Sequence, residues 1–552
     1  MEAPVPLVPP DAPEEVRRRA AGPARVPEFD PTLGLPVQRA SGPEPRHRLV
    51  TIGDSLTHGF QSGAIHNTDL SWPAILAYEL GWFDQYRFPI YPGFGGLGLN
   101  LEYLLRDLEE HLGPEISWWE APEAAVRVLG TLTRADRYWA RGAGAEVPPH
   151  AYVHDLAVYG WTLHDALTVT AASCQATIDS ARDRLVELVV SHSAERAALR
   201  VYPDTQPAYR HETVFDTAAR LGAEGDDGPG IETLVVMLGA NNALQSVTDL
   251  RVRWTDDTYA AERDGTGYTV WDPVHFREEL DQVRQAVERI DARHVIFCTV
   301  PHVTIAPIAR AVGTTKARPG SRYFPFYTRP WISDADFDPA HDPHLTENEA
   351  RAVDTAIDCY NDAITAMVRA ARSGPAPRDW LLFDLSALLD RLATKRYLRD
   401  PSAKPAWWTP YPLPAELTAL DPVPNTVFLS AKPGGGRADG GLFSLDGVHP
   451  TTVAYGLVAD ELARIMAGAG VEFRSSDGAV RPDPHVDFAR LVARDSLITS
   501  PPRLVDETLR VLGWCDQTLD WVDRVLHRRP RPAPPSTRAT TPTADVAAPA
   551  TA

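Results

Sequence analysis

The apolar residues of this chain come in short runs that alternate with longer amphipathic stretches, and no other feature narrows its fold so far. "RLVTI" (48–52) precedes a helical pattern at 72–80, "YVHDLAVY" (152–159) precedes one at 166–191, and "IETLVVML" (231–238) leads, after an irregular segment, to one at 275–290. "HVIFCTV" (294–300) precedes a pattern at 349–372, and "WLLFDL" (380–385) is followed by a last one at 453–466. Apolar runs of this length read as strands buried on both faces, and their alternation with helices predicts a parallel sheet covered on both sides. The expected fold is a three-layer α/β/α sandwich with a mainly parallel sheet.

At 552 residues the chain would hold three or four domains on length alone, at about 150 residues each. The strand and helix pattern instead predicts one core at 47–470 carrying large loop and helical insertions. Fifty prolines, roughly twice average usage, fit many extended connections. Irregular segments are expected at about 100–150, 200–228, 250–272, 302–346 and 395–440. They are rich in tryptophan (Trp118, Trp119, Trp254, Trp331, Trp407, Trp408), which either packs the insertions on the core or lines an apolar pocket. Residues 1–46 read as a proline-rich arm, on the surface or disordered. Residues 471–529 read as a helical extension, and 530–552 as a disordered tail of Pro, Thr and Ala.

A formal charge of −20, from 54 basic and 74 acidic residues, repels phosphate backbones and makes nucleic acid an unfitting partner. The N-terminus has no continuous apolar stretch of the kind a secretory signal carries, and no run approaches the roughly 20 apolar residues of a membrane span. Four widely separated cysteines, Cys174, Cys298, Cys359 and Cys515, give neither a zinc spacing nor a disulfide framework. A cytoplasmic protein without stable membrane insertion is expected.

Ligands of open α/β folds bind at the carboxyl ends of the strands, so residues just past the apolar runs are the first candidates. Ser55 follows "LVTI", Gly160 follows "LAVY", and Asn241 follows "LVVMLGA". Ser55 has a plainer reading as a helix cap, since serine and aspartate are favoured there. Asp446 and His449 form a fourth candidate in "DGVHP", where three-residue spacing around Gly447 lets the carboxylate accept a hydrogen bond from the ring. Pro450 suits the first position of the helix that follows, with Ala454, Val458, Leu462 and Ile465 on its apolar face.

Together "GDSL" (53–56), "AVYGWT" (157–162), "GANN" (239–242) and "DGVHP" (446–450) resemble, in order, the four sequence blocks of the GDSL or SGNH family of serine esterases and lipases. The resemblance implies an SGNH-hydrolase, flavodoxin-like fold and hydrolysis of a small-molecule or lipid ester through a serine acyl-enzyme, without metal or organic cofactor. It implies Ser55 as nucleophile, His449 as general base and acid, and Asp446 as the group orienting His449. The oxyanion hole would be the backbone N–H groups of Ser55 and Gly160 with the side-chain amide of Asn241. The family's third block usually ends in aspartate where this chain has Asn242, which puts in question how that loop is supported.

Three rival readings carry less. Gly93, Gly95 and Gly98 match a dinucleotide-binding G-x-G-x-x-G after the strand-like "RFPIY", which would make the chain a nucleotide-binding oxidoreductase, but the next strand comes too late for a unit of about 30 residues. Asp334, Asp336 and Asp338 copy the start of a calcium loop whose glycine and glutamate are replaced by Pro339 and Leu345. His58 is a rival base with no carboxylate fixed by spacing. A non-catalytic SGNH-fold binding protein is the remaining alternative.

Overall fold

The computed structural model describes residues 7–504 apart from 38–41, 114–120, 181–189, 191, 203–206, 226–227, 260–266, 314–319, 395–400 and 476. Each apolar run contributes one strand to a central sheet: β1 (His47–Gly53), β2 (Asp155–Ala157), β3 (Ile231–Met237), β4 (Ala292–Cys298) and β5 (Trp380–Phe383). All four pairings are parallel, in the order β5-β4-β3-β1-β2. β1 lies between β2 and β3, so the winding reverses between β1 and β3, where such sheets open a crevice. In register, Gly53 lies opposite both Ala157 and Met237. The residues that follow these three positions therefore leave the sheet side by side.

Around the sheet pack α1 (Trp72–Glu79), α2 (Val214–Gly222), α3 (Pro273–Glu288), α4 (Glu347–Ser373), α5 (Leu385–Leu392) and α6 (Thr452–Ala469). Their starts are written locally. Thr213 with Asp216 and Thr346 with Glu349 form reciprocal capping boxes, and Asp272 caps a helix opened by Pro273. Strand side chains alternate between faces. Val50, Ile52, Leu234, Val236 and Phe297 join one core with α2, α3 and α4, while Leu49, Val235, Met237 and Ile296 join the other with α1 and α6. The molecule is thus three layers, as the alternation predicts.

Several expectations change in detail. The helix expected over 166–191 is broken into Leu163–Thr168 and Ala171–Ser180, because β-branched Thr168, Val169 and Thr170 resist helical torsions and Thr170 Oγ1 instead accepts from Ser173 N–H. The segments expected to be irregular at 100–150 and 200–228 contain helices Leu101–Leu112, Ala121–Arg141 and α2. The first buries Leu101, Leu104, Leu105 and Leu108, a helical spacing that was legible. The insertion at 302–346 carries an antiparallel sheet of Arg310–Val312, Phe326–Thr328 and His344–Thr346.

The arm is folded where it is described. Helix Glu14–Ala20 packs on α4 with Val16 buried, and Arg25 pairs with Asp384 at 2.9 Å. Pro31 carbonyl accepts from Leu382 N–H of edge strand β5 at 3.0 Å, so the arm satisfies an edge donor that would otherwise invite pairing. Of the extension, helix Phe488–Arg494 packs beside α6 and helix Ser496–Thr499 packs on Phe488–Arg494. Cys515, residues 505–529 of that extension, the 530–552 tail, Trp118 and Trp119 lie outside the described residues. Among the described residues no helix is long and apolar enough to cross a membrane.

Candidate active site

Ser55 opens a four-residue helix, Ser55–His58, directly after β1. The cap of that helix is Asp54, whose carboxylate accepts from Leu56 N–H at 3.0 Å, so capping does not consume the Ser55 hydroxyl. Gly53 is required by a close approach: a Cβ there would sit 2.1 Å from Thr57 Oγ1. The Ser55 N–H, in the first turn of a helix, has no intrahelical acceptor and is left as a donor. Burial drives Asp54 up to about 7, against the Leu56 N–H and the attraction of His449.

Asp446 and His449 lie almost 400 residues later, on a turn closed by Gly447 N–H to Ser444 carbonyl and Ser444 N–H to His449 carbonyl. Gly447 adopts φ +67°, and a Cβ there would press on the Phe428 ring at 2.8 Å. His449 Nδ1 is 3.0 Å from Asp446 Oδ2. Asp446 also accepts from the N–H groups of Val448, His449 and Gly63 at 2.8, 2.8 and 2.9 Å. Burial works to raise its pKa, but His449 and these donors outweigh that and hold the carboxyl below its usual value. With Nδ1 facing Asp446, Nε2 is the ring nitrogen not committed to that carboxylate. The Phe60 ring packs on the imidazole at 4.5 Å between centroids.

The two halves are stitched by the hairpin of strands Phe60–Gln61 and Ala64–Ile65. Ser62 N–H donates to Ser444 Oγ at 2.9 Å, Leu445 N–H to Ser62 Oγ at 3.3 Å, and Gly63 N–H to Asp446. Sequence reasoning missed these holders, because backbone donors leave no residue-type signature. One feature of the turn also differs from expectation. Helix α6 starts at Thr452 with Thr451 as its cap, so Pro450 precedes the helix rather than opening it.

The oxyanion candidates also converge. Asn241 donates from Nδ2 to Trp161 carbonyl at 2.9 Å, which sets its amide against the turn holding Gly160 at φ +76° and leaves its second N–H uncommitted to that bond. Asn242 accepts from Leu163 N–H on Oδ1 at 3.3 Å, while its buried Nδ2 has no partner. An amide oxygen thus supports the loop as a carboxylate would.

Ser55 and His449 open on one cavity enclosing about 910 Å³, its open mouth included, walled by apolar residues such as Met237, Leu388 and Val458. Among the described residues none of the insertion tryptophans lines it. Trp254 and Trp331 pack on the core, and Trp408 Nε1 donates to Asp390 carbonyl.

His58 is not a competing base: it is fully buried, its Nε2 is 2.7 Å from Tyr91 Oη, and desolvation lowers it to about 3. "RFPIY" forms no strand of the sheet, and the glycine turn instead packs on the hairpin, with a Cβ at Gly96 falling 2.0 Å from Ile65 carbonyl oxygen. No group of acidic, histidine or cysteine residues among those described is arranged to hold a metal ion. No protein-family model and no curated protein matches the chain.

Proposed function

We propose that the protein is a serine ester hydrolase of the SGNH type. The observation that carries this reading is the pairing of a nucleophile and a carboxylate-tethered histidine, Ser55 and Asp446–His449, on the wall of one cavity. Ser55 Oγ attacks the ester carbonyl carbon as its proton passes to His449 Nε2, and negative charge develops on the carbonyl oxygen. The N–H groups of Ser55 and Gly160 and the Asn241 amide are the donors for that oxygen. Collapse expels the alcohol, which takes the proton from His449. Water, deprotonated by the same ring, then releases the acid and restores Ser55.

The test is Ser55→Ala. The variant should keep the fold and lose both ester hydrolysis and fluorophosphonate labelling, by about 10⁶-fold in kcat as for other serine nucleophiles. Wild-type turnover in that variant removes the proposal. An EDTA-sensitive rate would replace it with a metal mechanism.

A further inference from the structure

We infer that the ester taken by this site carries an unbranched apolar acyl chain of intermediate length, lying against α5, and this inference rests on the serine-hydrolase reading above. Leu385, Leu388, Leu389 and Leu392 fall at i, i+3, i+4 and i+7 of that helix and all line the cavity. Leu385 and Leu388 are buried, whereas Leu389 and Leu392 remain half-buried, with apolar surface still to cover. Ala454 and Val458 of α6 line the same cavity as His449.

The cavity's polar side chains are largely committed elsewhere. Tyr455 Oη donates to Phe60 carbonyl at 2.7 Å, and the two His302 nitrogens face Asp358 and Asp390 at 3.1 and 3.2 Å. A sugar or other hydroxylated group seated here would leave its own hydroxyls unpaired, at a desolvation cost that hydrocarbon avoids. An acetyl group would leave most of the apolar wall uncovered.

Length follows from topology. Ser55 leaves β1 and α5 follows β5, three strand positions away, so the cavity reaches across roughly 14 Å at about 4.8 Å per strand spacing. The acyl part is the fitting occupant, because it stays bonded to Ser55 through the second half of the reaction while the alcohol must leave.

The experiment uses the full-length protein with p-nitrophenyl acetate, butyrate, octanoate, dodecanoate and hexadecanoate, and alkyl acetates of matching alcohol length. Expected is a kcat/KM that rises about three- to fourfold per buried methylene to an optimum near octanoate, then falls. Leu389→Trp should move the optimum to shorter chains and Leu389→Ala to longer ones. Opposite shifts cannot come from general destabilisation. Acetate as good as octanoate, a preference that follows the alcohol, or Leu389 variants with an unmoved optimum would overturn the inference while Ser55 still labels with fluorophosphonate. Absence of labelling and of any ester hydrolysis would remove the serine-hydrolase reading and this inference with it.

Discussion

Two histidines line the same cavity, each buried and each beside carboxylates, but they meet those carboxylates differently. His449 meets a single carboxylate at Nδ1, and that carboxylate is itself held by three backbone N–H groups. His302 is bracketed instead, with Asp358 at Nε2 and Asp390 at Nδ1. Burial opposes its charge, but Asp390, Asp354 and Asp358 outweigh burial and lift its pKa to about 10. An imidazolium has no lone pair to offer at neutral pH. Under the proposed mechanism the number of carboxylates on the ring separates the base from a strut, since burial is common to both.

The sharpest way to break that contrast is to delete each ring. His449→Ala should lower kcat by about 10⁶-fold and abolish fluorophosphonate labelling, in a folded protein. His302→Gln should instead cost about 3–5 kcal/mol of stability in urea, as when one partner of a buried pair is removed, while Ser55 of the folded fraction still labels. The sign with pH follows from the raised value. His302 contributes fully below its unfolded pKa of about 6.5, and that contribution is lost as pH rises through about 10. The variant's urea midpoint should accordingly be flatter than the wild type's between those limits, and parallel slopes would deny His302 its charge.

Asp446→Asn comes next, with kcat down by about 10⁴-fold through the wrong ring tautomer. Because the folded value of Asp446 is depressed, its stabilisation is present above the unfolded pKa of about 3.9 and is lost as pH falls through the folded value. The variant should lose that acid-side slope. Full activity in Asp446→Asn would make the Asp446–His449 pair no more catalytic than the His302 cluster.

Smaller effects sharpen the oxyanion side. Asn241→Ala should reduce kcat by about 10²–10³-fold, the usual loss of one donor. Asn242→Asp should change kcat least, since either side chain accepts from Leu163 N–H. Equal losses at the two positions would mean that the wrong asparagine has been assigned to the oxyanion.

Much of this was legible because it is written in short stretches. The five apolar runs became the five strands, and the three-residue spacing of Asp446 and His449 set their contact. The starts expected at 349 and 275 fall two residues inside α4 and α3, whose caps are Thr346 and Asp272. The N-terminal arm was less legible, since its structure is secured by burial against distant elements such as α4.

By itself the sequence determined which residue types were available to do chemistry and the alternation that makes a parallel sheet, because both depend on local periodicity and on residues a few positions apart. Only the tertiary structure decided that Gly53, Ala157 and Met237 share a register, which puts Ser55, Gly160 and Asn241 at one edge. It also decided that Ser62 and Gly63 bind the Ser444–His449 turn, and that His449 and His302 differ in the carboxylates they meet. Those contacts join residues separated by tens to hundreds of positions, through backbone donors and buried charges that have no signature in the order of the chain.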